Sequence, residues 1–117
     1  MCTSISFLTK NHYFGRNLDM EFSYGEKVII TPRKYQLKLR MAKEMKEHFA
    51  IIGMGIVEDD YPLYYDATNE KGLSMAGLNF PVSAVYYEKV KNKNNIGAFE
   101  LIPWILGQCA SVNEARD

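Results

Sequence analysis

The sequence predicts an α+β domain built on antiparallel strands, and three patterns support that prediction. Apolar and polar residues alternate over several short runs in the first 80 residues, turn residues separate these runs, and a helical apolar pattern begins only near residue 99. The 117 residues are 47% hydrophobic and 24% charged, a composition typical of one ordinary globular domain.

The first predicted element is a β-hairpin at the start of the chain. Two β-patterned runs flank Lys10 and Asn11 within the first 17 residues. Antiparallel strands pair residues equidistant from the turn, so a turn at these two positions brings Cys2 near Arg16 and Asn17.

Further extended segments follow the hairpin, and most are bounded by turn residues. They are Lys27–Thr31 before Pro32, Gln36–Arg40, Phe49–Met54, Leu63–Asp66 after Pro62, and Leu73–Phe80 after a turn at residues 69–72. The alternation over Gln36–Arg40 is strict. The unbroken apolar run of Phe49–Met54 predicts a strand buried on both faces.

The end of the chain is predicted to be helical after a polar loop over Glu88–Asn95. The apolar spacing over Phe99–Ala110 indicates a helix that begins around Leu101, because Pro103 is tolerated only in a first turn. Ser111 and the glutamate three residues on form a capping box for a second helix. Too few residues follow for a stable helix, so we expect residues 1–117 to be one incomplete domain, truncated at its C-terminal end.

Cys2 is the residue with the most evident chemistry. It becomes N-terminal once Met1 is removed, which we expect because methionine aminopeptidase accepts a small second side chain. The α-amine, which titrates at about 7.7–8.0, can then act as a base towards the thiol of the same residue. A nearby Arg16 would favour the thiolate, and Asp19 could hold the ammonium in place.

Composition excludes several other classes of function. Fourteen basic and fourteen acidic residues cancel, so the chain lacks the positive field expected for nucleic-acid or membrane-surface binding. The sequence has no secretory signal or membrane span, which predicts a cytoplasmic protein with small-molecule partners. Two cysteines without metal-ligand spacing predict neither a disulfide framework nor a metal site. Cys109 is interpreted as a core residue, and His12 and His48 as structural or exposed.

Several motifs are joined in this chain. They are Met1-Cys2-Thr3, Phe14-Gly15-Arg16-Asn17-Leu18-Asp19, Pro32-Arg33, Gly53-Met54-Gly55, Tyr61-Pro62, Asn69-Glu70-Lys71-Gly72, Ala76-Gly77-Leu78-Asn79-Phe80 and Pro103-Trp104. Together they resemble the choloylglycine hydrolase family of N-terminal-nucleophile hydrolases, which contains bile salt hydrolases and penicillin V acylases. The resemblance implies the N-terminal part of a four-layer αββα sandwich, with the nucleophile at the start of an inner strand.

The resemblance also implies roles for individual residues. Cys2 is the nucleophile, Arg16 and Asp19 are its electrostatic and orienting partners, and Asn79 helps form the oxyanion hole. The positions that line the steroid pocket in the family correspond to Leu18, Met20, Tyr24 and Tyr65. The implied reaction is hydrolysis of glycine- or taurine-conjugated bile salts without a cofactor. A full-length form is expected to be a homotetramer.

Alternative interpretations remain open at this point. Penicillin V acylases share the same catalytic residues, and Asn79 favours the bile salt branch because the acylases tend to carry tyrosine there. Taken without the family context, Arg16 and Asp19 could form a surface ion pair, and Asn79 could be a turn residue. The family is about three times longer, and its remaining catalytic asparagine and arginine lie beyond residue 117, so we expect the 117 residues alone to be inactive. An inactive remnant, or one half of a split protein, is the third hypothesis.

Overall fold

The computed structural model describes residues 2–80 and 82–117, and over these residues it is an α+β structure with antiparallel sheets, as the sequence predicts. The strands are β1 Thr3–Leu8, β2 His12–Asn17, β3 Lys27–Thr31, β4 Ile51–Glu58, β5 Tyr61–Asn69 and β6 Ser74–Ala76. A 3₁₀ turn, Ala98–Glu100, leads into α1, Leu101–Gln108, and α2 spans Val112–Arg116. No helix in the described ranges is long and apolar enough to cross a membrane.

The first two strands form the predicted hairpin. Thr3 pairs with Asn17 and Leu8 with His12, so the connection has three residues rather than the two predicted. The predicted neighbourhood is nevertheless confirmed, because Cys2 directly precedes the residue that pairs with Asn17.

The other four strands form a second antiparallel sheet in the order β3-β4-β5-β6. Its central pair approaches so closely that two positions, Gly53 and Gly55, accept only glycine. A Cβ atom built on Gly53 would lie 2.1 Å from the Asp66 carbonyl oxygen and 2.6 Å from the Ala67 Cα atom. These atoms belong to the neighbouring backbone and cannot move aside, so Gly53 is required where β4 meets β5.

One face of this sheet packs on α1 and forms the core. The buried apolar residues of this core are Ile29, Ile51, Tyr64, Ala67, Leu73, Ile102 and Leu106. Helix α1 begins at Leu101, as Pro103 in its first turn requires. Cys109 packs against the core, as predicted.

A register shift divides β5 into two halves of opposite phase. Met54 pairs with Asp66 but the next residue, Gly55, pairs with Tyr64, so Tyr65 is an extra residue in β5. Tyr64 and Ala67 are therefore both buried against the helix, although three positions separate them. Asp66, like its partner Met54, lies on the opposite face of the sheet.

Two strand predictions are wrong. Residues 36–40 form no strand, and Leu37 makes only an isolated bridge to Met45. Their alternation instead reflects the complete burial of Leu37 within a loop. The segment predicted as Phe49–Met54 is a strand over Ile51–Glu58, but it is buried on one face only, because Ile52 is 49% exposed while Ile51 is 1% exposed.

One predicted boundary and one predicted hydrogen bond also differ in detail. The extended segment after the 69–72 turn is a strand only over Ser74–Ala76. The Ser111 hydroxyl caps α2 by accepting a hydrogen bond from the Glu114 backbone N–H at 3.3 Å, as predicted. The Glu114 carboxylate, however, accepts from the Ala110 N–H at 2.8 Å rather than from that of Ser111. The loop over Glu88–Asn95 is confirmed.

Candidate active site

Cys2 lies half-buried immediately before β1. Its Sγ atom is 3.9 Å from the backbone carbonyl oxygen of Asp19, a weak thiol hydrogen bond. The residue after it is fixed, because the Thr3 N–H donates to the Asn17 side-chain oxygen at 2.6 Å. The hairpin therefore holds the thiol beside the segment that follows β2.

Arg16 lies on the same face of the hairpin as Cys2. Ser4 pairs with Arg16 and Thr3 with Asn17, so continuing the register by one pair beyond Thr3 places Cys2 opposite Leu18. Alternate residues share a face, which puts Cys2 and Arg16 on the same side of the hairpin. The Arg16 side chain is only 5% exposed. The sequence-based prediction that the hairpin brings this guanidinium towards the thiol is consistent with this register.

The Arg16 guanidinium connects the hairpin to the four-stranded sheet. Its Nη2 donates to the Gly77 carbonyl oxygen at 2.7 Å, and its Nη1 lies 3.8 Å from Asp66 Oδ2. Its Nε and Nη1 atoms are buried and have no hydrogen-bond partner among the described residues. A buried cation of this kind depends on nearby negative charge, which the Asp66 carboxylate supplies.

Asn79 lies in the segment that follows β6, two residues beyond the Gly77 carbonyl that accepts from Arg16. Its side chain is exposed. The backbone before it is anchored, since the Gly77 N–H donates to the Tyr65 carbonyl oxygen at 2.8 Å. Arg16 thus links the strand next to Cys2 to the segment that carries Asn79.

The four predicted pocket residues differ in their exposure. Leu18 and Tyr65 are half-buried, whereas Met20 and Tyr24 are exposed. Burial, followed by the negative charge of Glu26 and the phenol of Tyr24, raises the pKa of Tyr65. The Tyr24 ring also packs at 4.7 Å, between centroids, on the ring of Phe22.

The contacts of the two histidines and of the second cysteine indicate structural rather than catalytic roles. Both ring nitrogens of His48, which is buried, face carbonyl oxygens, those of Tyr35 at 2.7 Å and of Phe49 at 2.8 Å. His12 is exposed and shares a hydrogen bond with the Ser6 hydroxyl. Burial, and then the charge of Glu114, raises the pKa of the Cys109 thiol, the opposite of what activates a nucleophile.

Sequence reasoning missed the two groups that hold Arg16, namely Asp66 and the Gly77 carbonyl. Asp66 was predicted only as the last residue of an extended segment. A regular strand would place it on the same face as Tyr64, and only the register shift at Tyr65 turns it to the other face. A carbonyl acceptor such as that of Gly77 leaves no signal in a sequence. The signal available was the acidic side chain itself, the one charged residue of β5.

Comparison with known proteins assigns the chain to a family. Residues 2–117 match the model of the linear amide C–N hydrolases, choloylglycine hydrolase family. The chain belongs to the choloylglycine hydrolase family. The sequence-based recognition is therefore confirmed.

Named family relatives are enzymes that act on bile salts. The chain is 54% identical over 116 residues to a bile salt hydrolase/transferase of Lactiplantibacillus plantarum, and covers 36% of that protein with 99% of its own length. It is 42% identical over 120 residues to a conjugated bile acid hydrolase of Lactobacillus gasseri, of which it covers 38% with its whole length. The chain thus spans about a third of the length of these relatives.

Solved structures of the family have the same fold. A cysteine-to-alanine mutant of the conjugated bile acid hydrolase from Clostridium perfringens superposes with a TM-score of 0.90 at 40% identity, covering 99% of this chain and 36% of that one. An arginine-to-leucine variant of the same enzyme gives a TM-score of 0.87 at 38% identity. The described residues therefore have the fold of the N-terminal part of the N-terminal-nucleophile hydrolases.

Proposed function

We propose that this protein supplies the nucleophile for hydrolysis of the amide bond that joins a bile acid to glycine or taurine. The observation that carries the proposal is the position of Cys2 Sγ, beside the Asp19 carbonyl oxygen and on the same hairpin face as Arg16. The names of the relatives support the substrate class, and family membership supports amide C–N hydrolysis.

The proposed reaction has two steps. After Met1 is removed, the α-amine of Cys2 takes the thiol proton, Sγ forms a bond to the amide carbonyl carbon, and the C–N bond breaks as the leaving amine receives that proton. Water then attacks the thioester, which releases the free bile acid and restores the thiol. Each step is a nucleophilic substitution at one carbonyl carbon and requires no external oxidant or reductant.

The proposed roles of the other polar residues follow from where negative charge develops. Asn79 donates its side-chain N–H to the oxyanion, and one such donor contributes about 10²–10³ in rate. Arg16 favours the thiolate form of Cys2, and Asp19 orients the α-ammonium. Asn79→Ala is therefore expected to lower kcat by about 10²–10³.

The proposed pocket for the steroid is formed by Leu18, Met20, Tyr24 and Tyr65. All four side chains are large and partly or wholly exposed, and the hairpin register continued by one pair places Leu18 opposite Cys2. Apolar and aromatic surface of this kind suits a rigid hydrocarbon ring system. The phenol of Tyr65 adds one polar group that can contact a steroid hydroxyl.

The test uses a chimera in which residues 1–117 replace the matching third of the Lactiplantibacillus plantarum relative. Intact mass reports the loss of Met1, and glycine released from glycocholate reports hydrolysis. Cys2→Ala should lower the rate of glycine release by about a thousandfold or more, while the matched variant Cys109→Ala should leave that rate unchanged. A folded chimera that lacks Met1 and releases no amino acid refutes the proposal.

Two further arms of the experiment decide between the remaining hypotheses. Faster cleavage of penicillin V than of glycocholate would replace the proposed substrate class. The 117-residue chain assayed alone is expected to release no amino acid, because we propose that these residues are one part of a single, longer hydrolase domain. For the complete protein we propose a homotetramer, which light scattering of the chimera tests.

A further inference from the structure

The Arg16 guanidinium is nearly enclosed, and two elements of the four-stranded sheet form its surroundings. Its side chain is 5% exposed, Nη2 donates to the Gly77 carbonyl oxygen at 2.7 Å, and Nη1 lies 3.8 Å from Asp66 Oδ2. Asp66 is itself 22% exposed in its side chain. The ion pair is thus shielded from water on its arginine side and retains much of its strength.

Both acceptors belong to one rigid part of the ladder. Asp66 pairs with Ala76, the residue before Gly77, and the Gly77 N–H donates to the carbonyl oxygen of Tyr65 at 2.8 Å. Arg16 therefore contacts two neighbouring positions, one in β5 and one in the residue that directly follows β6. Asp66 contributes a full negative charge to the surroundings of that guanidinium.

We propose that Asp66 is a positioning residue that holds the Arg16 guanidinium against the sheet, and thereby sets the charge at Cys2 and the place of the Gly77–Asn79 segment. The inference rests on the proposed function for the role of Cys2 as nucleophile. Asp66 does not touch the reacting atoms. It acts through Arg16, whose side chain lies on the same hairpin face as Cys2.

Two effects of Asp66 on the Cys2 thiol oppose each other, and their signs separate the proposal from a purely electrostatic role. A carboxylate near a thiol disfavours the thiolate, so its removal alone would accelerate alkylation of Cys2. If Asp66 instead holds Arg16 in place, its removal displaces the cation and slows alkylation. Diagonal neighbours on a hairpin face lie about 7–8 Å apart, close enough for one charge to change the rate about fivefold.

The experiment measures the rate of alkylation of Cys2 by iodoacetamide at neutral pH, with Cys109 in the same molecule as the internal control. Peptide mass mapping separates the two cysteines. Asp66→Asn should slow Cys2 about fivefold and leave Cys109 unchanged. In an Arg16→Gln background only the direct repulsion of the thiolate is left to remove, so the same substitution should not slow Cys2. Asp59→Asn is the matched control, because Asp59 lies in the β4–β5 turn with φ of 48°, a conformation that asparagine accepts.

Each outcome decides the proposal. An unchanged or faster Cys2 rate in Asp66→Asn, or an equal effect without Arg16, overturns it. If circular dichroism shows that Asp66→Asn does not fold, Asp66→Glu decides instead. Its carboxylate is displaced by one methylene, so Cys2 should be alkylated at an intermediate rate. An unaltered alkylation rate in Asp66→Glu counts against a positioning role. The readout needs no substrate, so a protein inactive on glycocholate can still support the role of Asp66 while the proposed function fails.

Discussion

Asn69 is a buried side chain whose amide connects the β5–β6 turn to the end of α1. Its Nδ2 donates to the carbonyl oxygens of Leu106 at 2.8 Å and Cys109 at 2.7 Å, and its Oδ1 accepts from the N–H groups of Lys71 and Leu73, both at 3.0 Å. All four hydrogen-bonding positions of the amide are therefore used, and the residue is only 4% exposed.

Asn69→Ala should destabilise the fold by about 2–4 kcal/mol. The Leu73 N–H and the Leu106 carbonyl are buried, so each would lose its partner at a cost of about 1–2 kcal/mol, while Lys71 in the exposed turn can bond to water. For a chain of this size the change corresponds to a fall in Tm of about 10 °C. Asn94→Ala, in the exposed polar loop, is the matched control and should shift Tm by less than about 2 °C.

Thermal and urea unfolding followed by circular dichroism measure the effect. Asn69→Asp sharpens the test, because it keeps the two accepted bonds and points an anionic oxygen at two carbonyl oxygens. It should be at least as destabilising as alanine at neutral pH and should recover on acidification, when the protonated carboxyl can donate to one carbonyl. Asn69→Ala within 1 kcal/mol of the unsubstituted protein would refute the reasoning.

Two further predictions concern polar side chains of β5 and of the turn that follows it. Tyr61→Phe removes a buried hydroxyl that lacks a partner among the described residues, so it should be neutral or stabilising by about 1 kcal/mol. Tyr64→Phe instead leaves the buried Thr31 hydroxyl, now hydrogen-bonded to Tyr64 at 2.6 Å, without its partner, and should cost about 1–2 kcal/mol. Urea unfolding that ranks the two variants in the reverse order contradicts this prediction. Hydrogen bonds from Arg33 and from the backbone lower the pKa of Glu70 to about 2, so this carboxylate stabilises the fold above about pH 4.5 and loses its contribution as pH falls towards 2. The Tm deficit of Glu70→Gln should therefore be largest near neutral pH and vanish near pH 2, and a pH-independent deficit would exclude the ion pair as its cause.

Much of the fold could be predicted because local chemistry determines it. Pro103 fixed the start of α1 at Leu101, and Ser111 fixed the start of α2, since both act within one turn of helix. The strand predicted over Gln36–Arg40 failed because alternation records which side chains are buried, not whether a partner strand is present. Pairing depends on distant residues that periodicity does not report.

The candidate site likewise combines features set by local sequence with features set by distant residues. Family motifs identified Cys2, Arg16 and Asp19, and the hairpin register that brings the first two together follows from a short turn. The partners of the guanidinium depend on how β5 passes β4, and neither the shift at Tyr65 nor the Gly77 carbonyl has a residue-type signature. Whether Asn79 donates to an oxyanion remains a prediction from the family.

The extra residue in β5 makes the register of that strand as important as its composition. If Tyr65 paired with Met54 in a regular ladder, Asp66 would pair with Gly53, turn towards α1 and leave the Arg16 cation without this counter-charge. Every residue of the strand would still be encoded, yet the carboxylate that contacts Arg16 would lie on the other face of the sheet. In this part of the chain, a shift of one residue in pairing is a change of site.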